Sequence, residues 1–207
     1  MENSHRANNL LVAYFWGGIA LALFAYTLPW LVTTGASLSL NAHDLAEWVS
    51  LHPMERARTP ELLTSLFLRL QLVHIGLIIA FCANRPISYH RGINVVLLFV
   101  LVLALLPPVE FLAGGDINYQ QQLALAAATL FGGLLGLRGV LQRLRRATIA
   151  VIIMVGIITT GIGLLESREL LSQFRIQAEF GVGGATLIVA YCILLYIILW
   201  LHDRQTR

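Results

Sequence analysis

Six apolar runs, each about twenty residues long and set apart by short charged segments, dominate this sequence. They cover about 9–32, 62–83, 92–112, 119–141, 147–166 and 180–201. Crossing a hydrocarbon core about 30 Å thick takes roughly 20 apolar residues in a helix, at about 1.5 Å of rise each. Inside lipid a backbone must satisfy its own hydrogen bonds, which a helix does within one segment. The expected fold is therefore all-α: residues 1–207 form a single integral membrane domain, a polytopic six-transmembrane-helix bundle. Hydrophobic residues make up 57% of the chain and charged residues 12%, about half the charged share of a soluble domain. The runs consume most of the sequence and leave no room for a soluble domain.

Charge placement orients the bundle. All fourteen basic residues are arginine, a bias attributed to genome composition. Membrane proteins collect such residues in cytoplasmic loops. Arg6, the Arg85/Arg91 pair, the Arg138/Arg143/Arg145/Arg146 cluster and the Arg204/Arg207 pair fall on one side if there are six spans. Both termini are then cytoplasmic, in a bacterial inner membrane. Asp44, Glu47, Glu55, Glu61, Glu110, Asp116, Glu166, Glu169 and Glu179 gather in the opposite loops. Five spans would mix the two sets. The first run lacks a convincing cleavage site and is expected to remain as an anchor. Cys82 and Cys192 lie within spans as structural thiols. No basic-aromatic run suits nucleic acid; the expected partners are membrane lipids, other membrane subunits or a second copy of the chain.

Local signals mark the borders. Thr59-Pro60-Glu61 has the order of an N-cap, a first-turn proline and a first-turn acid. Pro29 and Trp30 suit the outer interface of span one, and Trp200 and Tyr89 suit interfacial anchoring. Pro107-Pro108 breaks or kinks span three near its outer end. In the first outer loop Asn41 caps a short amphipathic helix. Leu45, Trp48, Val49 and His52 share one face and His43, Asp44 and Glu47 the other. It is expected to lie on the membrane surface with that second face solvated and no metal bound. Ser167–Ala178 is either a second surface helix or a continuation of span five.

Span two carries the candidate intramembrane polar site. Arg69 lies about 10 Å inside the outer border, at 1.5 Å per residue, where burial costs up to roughly 2.5–3.5 kcal/mol. It shares a stripe with Ser65, Val73, Gly76 and Ala80 that faces the bundle. Glu110 is its expected partner and Glu166 the second choice. Gln71 and His74 occupy nearly the opposite face, which calls for another helix, a partner subunit or a cofactor such as a pigment, a quinone or a lipid. None of these is required by the sequence. In span four Ala124, Ala128, Gly132 and Gly136 recur at i, i+4, a small-residue stripe that admits a close helix.

Three functions fit this inventory. The first is a non-catalytic subunit of a larger membrane complex, respiratory or photosynthetic. The second is a small transporter or channel with an Arg69/Glu110 pair on its path. The third is a membrane enzyme acting on a lipid or isoprenoid. Hydrolase, zincin and P-loop motifs are missing from the sequence, and the subunit is preferred over the enzyme.

Overall fold

A computed structural model of the chain describes residues 2–33, 38–83, 91–112 and 114–205. Arg85, Tyr89 and Arg207 lie outside the described residues, as do the side chains of Arg6, Trp200 and Arg204. The chain is mostly helical. In order it runs α1 (Glu2–Thr27), β1 (Leu31–Thr33), β2 (Ser39–Leu40), α2 (Ala42–Ser50), α3 (Pro53–Ala57), α4 (Leu63–Cys82) and α5 (Arg91–Leu105). A 3-10 turn follows at Val109–Phe111, then α6 (Ile117–Leu137), α7 (Arg145–Gln173), β3 (Ala178–Phe180) and α8 (Val182–Gln205). Four helices, α1, α4, α7 and α8, are long and apolar enough to cross a membrane.

Helix α4 is the axis. Within its apolar window 78% of residues are buried, against 33% for α7, and it packs against α1, α2, α5, α6 and α7. That arrangement buries both of its polar faces within the chain. Helices α1 and α8 pair with each other, and α8 also packs on α7. Large apolar side chains such as Val96 and Leu103 of α5, Val151 and Ile158 of α7 and Val189 of α8 point outward, as lipid-facing residues do.

The helix borders follow local chemistry. Helix α5 ends at Leu105, two residues before Pro107, because a residue preceding proline is pushed out of the helical region. Span three is thus shorter than the sequence suggested. Segment 167–173 continues α7, so the span-five alternative holds as far as Gln173. Helix α4 starts at Leu63, not at the Thr59-Pro60-Glu61 signal, and Leu62 before it adopts φ 54°. Its capping acid is Glu55, nine residues earlier, whose Oε2 accepts from the Thr64 amide at 2.9 Å. Helix α6 ends in a Schellman motif: Gly139 takes φ 76° and the Val140 amide reaches back to the Leu135 carbonyl at 3.0 Å.

Three short strands close one end of the bundle. The order is β2-β1-β3, antiparallel, with Leu31 opposite Leu40 and Phe180. Trp30, just past the end of α1, is fully buried within the protein. Its Nε1 donates to the Ala25 carbonyl at 3.0 Å. Its indole lies where a Cβ on Gly183 would stand, so only glycine lets α8 start this close to the end of α1.

The small-residue stripe of α6 divides. Gly136 meets the α4 backbone at Ala80 and Phe81, and Gly132 meets Leu77. Ala124 and Ala128 are exposed. Strict i, i+4 spacing advances about 40° per step on a 3.6-residue helix, so the stripe leaves the α4 contact. The buried seam runs instead through Gln122, Leu125, Ala126, Thr129, Gly133 and Gly136.

Candidate functional site

Three polar clusters lie on or beside α4. The first surrounds Arg69, which is 3% exposed. Its Nη2 donates to Glu47 Oε1 and Asn118 Oδ1, both at 2.7 Å, and its Nη1 donates to Gln121 Oε1 at 2.9 Å. Glu47 also accepts from Gln122 Nε2 at 2.8 Å and from Asn118 Nδ2 at 3.3 Å. Gln121 Nε2 in turn donates to the Leu62 carbonyl at 3.1 Å. The guanidinium is therefore neutralised and bound from two elements, α2 and α6.

Helix α2 owes this role to its cap. Asn41 Oδ1 accepts from the amides of His43 and Asp44 at 2.9 and 3.0 Å. The capped helix buries Leu45 and Val49, as its amphipathic pattern implied. Its supposed solvated face is nevertheless split: His43 and Asp44 are exposed, while Glu47 turns onto Arg69. The helix docks on the bundle because a buried guanidinium needs a counter-charge.

Glu110, the partner expected from sequence, is exposed in the 3-10 turn beyond Pro107-Pro108. The proline pair ends α5 before the helix could carry Glu110 toward α4. Glu166, the second choice, belongs to another cluster. It grips Arg58 with two oxygens, each at 3.0 Å. Arg58 Nη1 also reaches Glu55 Oε1 at 3.1 Å. The Thr64 hydroxyl touches Glu55 at 2.9 Å and Glu166 at 2.8 Å. Hydrogen bonding to Glu166 pushes the ionisation of Arg58 above its usual range. A cleft of about 450 Å³ opens beside the cluster between α3 and the end of α7, lined in part by Met54, Arg58, Glu169 and Leu170. Two residues before Arg58, Arg56 binds Asp116 at 3.1 Å, and Asp116 in turn caps α6 through the Asn118 amide at 2.8 Å.

The third cluster holds Gln71. Its Nε2 donates to Thr159 Oγ1 at 3.0 Å, and its Oε1 accepts from Thr160 at 3.0 Å and from the Tyr191 hydroxyl at 3.1 Å. The face that called for a partner or cofactor is covered by α7 and α8 of the same chain. His74 is 6% exposed, and its Nδ1 is buried without a hydrogen-bond partner among the described residues. The four sequence candidates thus separate: Arg69 lies in one cluster, Gln71 in another, His74 apart from both, and Glu110 at the surface. Among the described residues no group of three or more His, Cys, Asp or Glu side chains is arranged to hold a metal ion.

No protein-family model, curated protein or solved structure matches the chain.

Glu47, Asn118, Gln121 and Gln122 were not singled out by sequence reasoning. A signal for three of them exists: Asn118, Gln121 and Gln122 stand at i, i+3 and i+4 of an otherwise apolar helix, the spacing of one helical face. Such a face, buried against α4, needs a polar partner, and Arg69 supplies it. Arg69 faces Glu47, and Arg58 faces Glu55 and Glu166.

Proposed function

We propose that the protein is a non-catalytic integral subunit of a larger membrane complex of the respiratory or photosynthetic electron-transfer type. The observation that carries this reading is the commitment of the intramembrane polar groups to one another. Arg69 is bound by Glu47, Asn118 and Gln121, and Gln71 by Thr159, Thr160 and Tyr191. Polar groups used up in this way stiffen a scaffold.

In this reading α1, α4, α5, α6, α7 and α8 are six spans in a bacterial cytoplasmic membrane, with both termini inside. Support for the orientation comes from charge. Arg91, Arg138, Arg143, Arg145 and Arg146 gather where α5 and α7 begin and α6 ends. Glu47, Glu55, Asp116 and Glu166 gather where α4 and α6 begin. Arginine-rich ends face the cytoplasm. The strip offered to a neighbouring helix is the exposed Ala124 and Ala128 of α6, whose small side chains permit close approach.

The test is purification from native membranes in mild detergent, with mass spectrometry of co-eluting proteins and an absorption spectrum of the peak. Stoichiometric partners are expected, and Ala128→Phe should release them. A partner-free, colourless protein would overturn the subunit reading.

A further inference from the structure

The turn between α6 and α7 combines three features that point to one ligand chemistry. First, Arg138, Arg143, Arg145 and Arg146 fall within nine residues, and no acidic residue occurs in the sequence between Asp116 and Glu166. Arg91 joins this end from α5, its Nη2 donating to the Leu137 carbonyl at 3.0 Å. Second, the N-terminus of α7 is uncapped: Leu144 at the cap position offers no side-chain hydrogen bond. The Nε of Arg145 is buried and has no hydrogen-bond partner among the described residues. Helix N-termini and arginine forks both bind phosphate oxygens. Third, the turn exposes apolar side chains between its charges. Val140 is 42% exposed, Leu141 48% and Leu144 61%. Leu141 sits at φ 65° and Gly139 at φ 76°, so a left-handed backbone helps shape the turn that presents them.

We infer that the α6–α7 turn is a headgroup site for an anionic phospholipid. The arginines and the N-terminal end of α7 hold the phosphate, while Leu141 and Leu144 lie against the acyl chains. The apolar residues decide between sources of phosphate. A free anion gains nothing from exposed leucines, whereas a phospholipid presents charge and hydrocarbon together. The inference requires that the chain sits in a bilayer. It does not require the complex proposed above, whose partners are read in a separate experiment.

Native mass spectrometry of the purified full chain tests it. The protein is titrated with phosphatidylglycerol or with phosphatidylcholine of the same acyl chains, and then with inorganic phosphate as competitor. Phosphatidylglycerol should bind about tenfold or more tightly than phosphatidylcholine, since each arginine near an anionic headgroup contributes about fivefold. Arg143→Gln/Arg145→Gln should erase most of that preference and leave phosphatidylcholine binding unchanged. Arg143→Gln alone changes an exposed side chain, and keeps the test sound if the double variant misfolds. Leu141→Ser/Leu144→Ser should weaken both lipids. Arg175→Gln, at the other end of α7, should change nothing. Equal binding of the two lipids, an undiminished preference in the arginine variants, or an equal loss in Arg175→Gln would overturn the site. Displacement of the lipid by millimolar phosphate would overturn the lipid as its ligand.

Discussion

Replacing Glu47 with leucine should be among the most damaging single changes near the start of α4. The carboxylate receives Arg69 at 2.7 Å, Gln122 at 2.8 Å and Asn118 at 3.3 Å. Glu47→Leu leaves Arg69, 3% exposed, with amide oxygens but no counter-charge. Removing one partner of a buried pair costs about 3–5 kcal/mol. The Glu47 side chain is 38% exposed, so water already screens part of the pair and the cost falls to about 2–3 kcal/mol. The reverse change is milder. Arg69→Met strands a carboxylate that water can reach, at about 1 kcal/mol. The double variant should then recover about 1–2 kcal/mol relative to Glu47→Leu alone, because it removes the stranded charge. Reversible unfolding in mixed detergent micelles, followed by tryptophan fluorescence, gives the four free energies of the cycle. Equal costs for the two single variants, or additivity within about 0.5 kcal/mol, would refute the ion pair as the anchor of α2.

Other perturbations test the remaining contacts. Gly136→Ala should cost about 1–3 kcal/mol, since its Cβ would meet the Phe81 amide nitrogen at 3.0 Å. Gly161→Ala, with open space around it, should gain about 0.5–1 kcal/mol; thermal unfolding in detergent compares the pair. Gln71→Leu should cost only about 1 kcal/mol, because Thr159 and Thr160 keep acceptors on their own helix, and pull-down of any partner should be unaffected. Asp116 is held below the usual carboxylate range, chiefly by the Asn118 amide and with help from Arg56 against desolvation. Its folded value lies below its unfolded one, so its contribution is complete above the unfolded value. That contribution is lost as pH falls through the folded value. Asp116→Asn, which keeps a cap, should flatten the stability loss measured below about pH 4.

Much of the scaffold was legible because the apolar runs are long and helical bonding is local. The Asn41 cap, the amphipathic face of α2 and the break at Pro107-Pro108 are all short-range effects. Contacts that depend on distant elements were not legible. Glu47 precedes Arg69 by 22 residues and reaches it only once α2 folds back on α4. Strands β1, β2 and β3 have two or three residues each, too few to show a period of two. Trp30 resembled an interfacial anchor because its burial depends on glycines at the start of α8. In the α6 stripe, which residues meet α4 could not be read, because the 40° drift per step is invisible until the neighbouring helix is placed.

If α5 is a span, as proposed above, the proline pair after it also shapes the surrounding lipid. The fifteen described residues of α5 rise about 22 Å, while the 29 residues of α7 rise about 44 Å. Beyond Leu105 the irregular backbone requires water or headgroups. A short span is accommodated by a thinner bilayer, a long one by tilt. In the six-span reading proposed above, the molecule meets lipid of unequal thickness around its circumference, thinnest beside α5. A neighbour with a similarly short span would share that thinned rim at little elastic cost, so membrane deformation alone draws it to the α5 side.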